Sequence, residues 1–260
     1  MNVRQPVLFV SHGSPMHAIE PSAAAVAWAS EAATLAAPAA ILMVSAHWES
    51  QLPLLGAAAQ PDTIHDFGGF PEALYRLRYP AAGAPAVARR ALELLRAAGI
   101  DAGLDATRGL DHGAWVPLLK MWPEARVPVF QLSVQPGRDA AHHLALGRAL
   151  AALREEGVLI VGSGHMTHNL RDWMLAWRGV TAEPYAEAFR DWVGARLLAG
   201  DTEGLLEWER QAPHARRAHP TPEHFLPLFV ALGAGEGVLP RRFHDSLEQG
   251  VLAMDAWRWD

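Results

Sequence analysis

The chain has 260 residues, 50% of them hydrophobic and 19% charged, with a formal net charge of −6, a pI near 6.1 and no cysteine. That composition fills one sizeable core, excludes wholesale disorder and speaks against nucleic acid or an anionic membrane as the main partner. Without cysteine there is no disulfide, thiolate zinc site, iron–sulfur cluster or thiol nucleophile. Any metal must sit on nitrogen or oxygen, and 13 histidines are available for it.

The first apolar run, Val7–Val10, is too short for a signal peptide, and no stretch of about 18 apolar residues offers a spanning helix. The expected location is cytoplasmic. Strands are expected at Val7–Val10, Ile41–Ser45, Val127–Val134 and Val158–Gly162, with a weaker one at Leu52–Ala57. They read as near-continuous Val, Ile, Leu and Phe, the pattern of parallel strands covered on both faces. Helices are expected at Ser22–Ala36, Ala84–Ala98, Asp139–Glu156 and Tyr185–Ala199, with Gly99 and Gly157 as left-handed stops. Strand–helix alternation without a dividing linker predicts a single α/β domain over residues 1–260, with a mostly parallel sheet flanked by helices. From about Glu203 the pattern is less regular. Gln60–Pro71, with Asp66-Phe67-Gly68-Gly69-Phe70, reads as a loop.

Three of the strand patterns run directly into histidine. Val7–Ser11 leads to His12, Ile41–Ala46 to His47, and Val158–Gly164 to His165 and His168. Ligands of open α/β sheets bind outside the carboxyl ends of the strands, so neighbouring strands would bring these imidazoles to one crevice. A metal or acid–base site is the reading. His112 opens a predicted helix after Asp111. His224 follows Thr221 and Pro222, a plausible cap and first helical residue. His17, His142, His143, His214, His219 and His244 have no chemical neighbours in the sequence and are expected to be solvated.

Rival motifs fail. There is no phosphate loop and no His-Glu-x-x-His. Gly162-Ser163-Gly164 lacks both the third glycine of a dinucleotide fingerprint and the spacing of a nucleophile elbow.

Six blocks, in order, carry a resemblance. They are Ser11-His12-Gly13-Ser14-Pro15, Val44-Ser45-Ala46-His47-Trp48, Ile64–Pro71, Asp111-His112-Gly113, His168-Asn169-Leu170 and Pro220–Pro227. Together, over nearly the whole chain, they resemble the 4,5-DOPA dioxygenase family of class III extradiol ring-cleaving dioxygenases, in the superfamily of protocatechuate 4,5-dioxygenase. The resemblance implies that His12, His47 and His224 bind one divalent metal, Fe(II) for activity, with Zn(II) able to occupy the site. It implies that His168 faces the substrate and that His112, His65, Asp66 and Phe67 lie near the substrate pocket. The partners implied are a catechol such as L-DOPA and O₂, and a homo-oligomer is compatible with it.

Two departures remain. Related sequences need not carry His at position 165, so the chemistry goes to His168, and His165 stays a bystander with an open role as fourth ligand or pocket residue. Iron oxygenases commonly use two His and one carboxylate, which favours Glu223 as third ligand, whereas the resemblance favours His224 and is followed here. In the Asp66–Phe70 loop, an apolar wall holds one carboxylate that either meets an amino group or caps the turn. A zinc-dependent hydrolase and a non-enzymatic Memo-like protein are the competing readings. The presence of His168 beside a full set of candidate ligands weighs against both.

Overall fold

The computed structural model describes residues 3–179 and 184–260. The strands are β1 (Val7–Ser11), β2 (Ala40–Glu49), β3 (Leu54–Gly56), β4 (Gly103–Asp105), β5 (Val129–Val134), β6 (Val158–Gly164), β7 (Arg241–His244), β8 (Leu247–Glu248), β9 (Leu252–Ala253) and β10 (Ala256–Trp259). Apart from the small β8–β9 hairpin, they form one sheet in the order β4-β3-β5-β2-β6-β1-β10-β7. The central four, β5, β2, β6 and β1, are mutually parallel. Every residue of β1, β5 and β6 is buried, as expected of strands covered on both faces. The flanks are mixed. β3 runs antiparallel to β5, and β10 antiparallel to both β1 and β7.

The helices are α1 (Ala23–Ala32), α2 (Glu72–Arg76), α3 (Pro85–Ala97), α4 (His112–Met121), α5 (Ala140–Leu150), α6 (Leu170–Trp177), α7 (Tyr185–Ala199), α8 (Thr202–Leu206), α9 (Trp208–Gln211), α10 (Ala215–Ala218) and α11 (Leu226–Ala234). Their starts follow local chemistry. Ser22, Asp111 and Asp139 each accept a hydrogen bond from a first-turn amide, and Pro85 sits where its missing N–H costs nothing. The expected stops hold, with Gly99 at φ 76° and Gly157 at φ 83°. The expected helix Asp139–Glu156 is shorter, since it tightens into a 3₁₀ turn over Ala151–Arg154.

The alternation along β6 shows how the sheet is covered. A Cβ at Gly162 or Gly164 would fall on the backbone of Pro227 or His224, at the start of α11, whereas Ser163 between them bonds the Gly113 carbonyl of α4. Successive strand residues face opposite sides, so α11 lies on one face and α4 on the other. All nine residues of α11 are buried, and fully buried Leu228 and Phe229 each contribute about 1.5–3 kcal/mol.

The region after Glu203, where the sequence pattern is less regular, supplies short elements together with the buried α11 and the sheet strands β7 and β10. A helix apolar on every side has no stripe for periodicity to reveal, and four-residue strands carry too few alternations. No helix among the described residues is long and apolar enough to cross a membrane.

Candidate metal centre and active site

Parallel strands β1, β6 and β2 are adjacent, so the residues at or just past their carboxyl ends meet. Nε2 of His12 lies 3.1 Å from Nε2 of His47, which lies 3.3 Å from Nε2 of His224. His12 and His224 are buried, and His47 is partly so.

The other nitrogen of each ring is occupied. Pro117 lacks an N–H and leaves the Gly113 carbonyl without its helical partner, and the Ser163 hydroxyl donates to that carbonyl. Having spent its proton, Ser163 Oγ can only accept from Nδ1–H of His12, at 3.1 Å. This leaves the Nε2 of His12 as a bare lone pair. Glu223 Oε1 lies 2.8 Å from Nδ1 of His224 and fixes the same tautomer there, and the Thr221 hydroxyl donates to that carboxylate at 3.1 Å. Nδ1 of His47 lies 3.4 Å from Asp66 Oδ2.

Lone pairs converging on one point repel unless a cation joins them. Carboxylate or hydroxyl partners on the remote nitrogens are the arrangement that orients imidazole ligands. Tetrahedral sites with metal–nitrogen distances of about 2.0–2.1 Å place their nitrogens about 3.3 Å apart, close to what is seen here. The donor set therefore fits one divalent ion, and its ligating atoms lie within 4.8 Å of one another.

Burial, reinforced by neighbouring imidazoles, drives His12 and His224 well below the ordinary imidazole value. Burial also takes His47 to about 4 and His168 to about 3. All four are neutral at pH 7, the form that ligates metal or accepts a proton.

His168 is set by its backbone N–H, which donates to the Ala218 carbonyl at 2.8 Å, and by Asn169, which caps α6. Its ring lies flat on that of His224, with centroids 3.4 Å apart and planes 10° from parallel. It lines a cavity of about 450 Å³ together with His12, His47, His112 and His165. Phe67, Phe70, Leu170, Trp173 and Met174 form an apolar wall.

Asp66, the one carboxylate among the described residues lining the cavity, accepts from the backbone N–H of His112 at 2.9 Å and from its Nδ1 at 3.0 Å. It therefore clamps the start of α4 rather than its own turn. Burial pushes its carboxyl upward, but the bonds from His112 prevail and bring it to about 2.

Several expectations need correction. His65 does not line the cavity; it lies behind Phe67, its Nε2 taken by the Leu77 carbonyl at 3.1 Å. Thr221 does not cap a helix, because His224 sits in a turn before α11, where Phe225 N–H donates to the Pro222 carbonyl at 2.8 Å. His17, His143 and His219 are buried rather than solvated. His17 pairs with Glu248 at 3.2 Å. His143 spans the Asp139 carbonyl and the Gln135 amide. His219 donates to the Met166 carbonyl among Phe189, Trp208 and Phe225.

Sequence reasoning assigns no role at the site to Ser163 or Pro117. The signal for Ser163 was available, since a buried strand otherwise apolar ends in a hydroxyl beside the histidines.

The family of the catalytic LigB subunit of aromatic ring-opening dioxygenase matches residues 5–249. A 4,5-DOPA dioxygenase extradiol of Beta vulgaris is 43% identical over 99% of this chain and 97% of its own length. One of Escherichia coli K12 is 42% identical over 97% of this chain and 94% of its own. The crystal structure of an uncharacterised E. coli K12 protein superposes with a TM-score of 0.83 at 36% identity, covering 99% of this chain and all of the other. With the family matched over nearly its full length, and relatives above 40% identity, the chain belongs to the LigB family of aromatic ring-opening dioxygenases.

Proposed function

We propose that the chain opens the ring of a catechol such as L-DOPA by extradiol 4,5-cleavage with O₂, using one divalent metal held by His12, His47 and His224. The observation that carries this reading is the convergence of the three imidazole Nε2 atoms of His12, His47 and His224 next to a cavity that His12, His47 and His168 line. A bound Fe(II) would supply the redox-active centre to which a catechol and O₂ are brought together. Neutral imidazoles accept zinc as readily, so Zn(II) can fill the same ligands without supplying that chemistry.

The protein's own contribution is orientation, dryness and proton handling. Ser163, Glu223 and Asp66 each engage the remote nitrogen of one ligand imidazole, and so aim the three Nε2 atoms. Phe67, Phe70 and Trp173 give the aromatic ring an apolar wall and exclude water from it. His168, neutral in the cavity, has an imidazole lone pair to accept a catechol hydroxyl proton, and its imidazolium can return that proton as the ring opens. Glu223 stays with His224 and is not the third ligand.

The test is anaerobic loading of metal-stripped protein with Fe(II), then oxygen-electrode recording with L-DOPA and a small panel of catechols. Oxygen consumption with formation of a yellow ring-opened product is expected. No uptake with any catechol at stoichiometric Fe(II) would overturn the reading in favour of a zinc hydrolase or a binding protein.

A further inference from the structure

The catalytic cavity has a neighbour. A second cavity, of about 620 Å³, shares Ser14, Phe70 and Trp173 with it as walls. The β8–β9 hairpin serves both: Leu252 lines the first cavity, and Glu248, its direct partner across the hairpin, lines the second. Side chains directly opposite on antiparallel strands share a face, with Cβ atoms about 5 Å apart, so Glu248 stands beside the catalytic cavity. The metal ligands are close on the other side. A Cβ at Gly13, next to His12, would fall on the His17 ring, whose Nε2 lies 3.2 Å from Glu248 Oε1.

The second cavity has a chemistry of its own. Its described lining includes Glu20 and Glu248 but no Lys or Arg, and the rings of Trp173 and Trp177 stand in it 5.7 Å apart. Carboxylates beside indoles favour an organic cation, by charge and by the ring quadrupole. The Glu248 side chain is 31% exposed, so a ligand can reach it. It is also unsaturated: His17, itself nine-tenths buried, approaches it without the alignment of a hydrogen bond. A metal ion fits less well, because among the described residues His17, Glu20 and Glu248 are not a group whose ligand atoms converge. In the catalytic cavity Asp66 is already committed to His112, which leaves Glu248 to meet a positive charge.

We propose that the second cavity takes an alkylammonium group carried on the side chain of the catechol, with Glu248 as its carboxylate partner and Trp173 and Trp177 as its aromatic wall. This rests on the catechol reading given above and adds what selects among catechols. Glu20 contributes negative potential at the same place. A fully exposed ion pair would be worth little, but this carboxylate is two-thirds covered and bordered by indoles.

Two pairs of catechols isolate the ammonium: dopamine against 4-ethylcatechol, and L-DOPA against 3-(3,4-dihydroxyphenyl)propionate. The members of each pair differ only in the amino group. Oxygen uptake by Fe(II)-loaded protein gives kcat/KM for all four, and the ratio within a pair measures the selectivity. The variants are Glu248→Gln, Trp177→Leu and, as a control, Glu93→Gln, which changes an exposed carboxylate of α3.

Wild type and Glu93→Gln are expected to favour the ammonium-bearing member of each pair about 10-fold, the worth of a hydrogen bond to a charged group at a partly covered site. Glu248→Gln should bring both ratios close to one. Trp177→Leu, at a side chain well exposed to solvent, should lower them about 2- to 5-fold. Equal kcat/KM within each pair in wild type, or wild-type ratios in Glu248→Gln, would overturn the inference. Should Glu248→Gln not fold, wild-type ratios in Trp177→Leu would overturn it instead. Oxygen uptake with none of the four catechols would sink the catechol reading, and this inference with it.

Discussion

Ser163 determines which nitrogen of His12 is free. Its hydroxyl proton goes to the Gly113 carbonyl, so its oxygen is an acceptor for His12 Nδ1–H at 3.1 Å and Nε2 is left to the centre. The carbonyl is available because Pro117, four residues on in α4, has no N–H to offer it. A proline inside a helix, normally a cost, thereby serves the geometry of a residue on the facing strand.

Replacing Ser163 with Ala should free the His12 ring to change tautomer and tilt. Loss of a partner of this kind typically lowers metal affinity about 10- to 100-fold. Competition for zinc against a chromophoric chelator measures it. Unchanged affinity would show that the hydroxyl does not set the tautomer.

The Glu223 carboxylate makes the corresponding contact to His224, and the charge can be separated from the acceptor. Glu223→Gln keeps an oxygen that can accept from Nδ1, whereas Glu223→Ala keeps nothing. The alanine variant should lose about 10- to 100-fold in metal affinity, and the glutamine variant clearly less. If Glu223 were itself a ligand, both changes would strip the metal alike.

Much of this was legible in the chain, for definable reasons. The central strands declare themselves because burial on both faces demands unbroken apolar runs, and His12, His47 and His165 stand out because each follows such a run directly. His65 misled because proximity in a motif is not proximity to a cavity: the Leu77 carbonyl holds its ring away. Residue patterning alone does not separate Glu223 from His224, and only the resemblance favours His224, since which of two adjacent side chains turns inward depends on a non-helical turn and on Thr221. His143 and His219 looked solvated because their partners are backbone groups, which leave no mark in a sequence.

Those two buried histidines make the stability of the metal-free protein depend on pH. Burial lowers both to about 4 in the fold, against about 6.5 in an unfolded chain. Between these values the unfolded state binds more protons, so the stabilisation is complete above about pH 6.5 and is lost as pH falls towards 4. Each contributes on the order of 3 kcal/mol at the limit. Denaturant unfolding of stripped protein from pH 7 to 4.5 should show this decline, and His219→Phe should make it shallower. An unchanged slope would mean that His219 is not held neutral.

His168 should be separable from metal binding. Its ring stacks on that of His224, and the hydrogen bonds between Ser163 and His12 and between Glu223 and His224 do not pass through it. In His168→Ala, Fe(II) content should stay near wild type while turnover falls by roughly 10²- to 10⁴-fold, the usual worth of a positioned acid–base group. Turnover per bound iron equal to wild type would remove the proton-transfer role.

Gly164 tests how closely β6 must approach the His224 turn. A Cβ there would fall on the His224 carbonyl oxygen, which already accepts from the His165 N–H at 2.7 Å. Neither backbone can yield without displacing His224, because the obstacle is main chain on both sides. Gly164→Ala should cost about 1–3 kcal/mol by overpacking and, unlike an ordinary core clash, should weaken metal binding as well. Gly137→Ala is the control, since a Cβ there meets nothing within 4 Å. Denaturant titration of both stripped proteins gives the stability change, and chelator competition gives the affinity. If Gly164→Ala were destabilised with metal affinity intact, the strand could retreat without moving His224, and the link between this close approach and the site would fail.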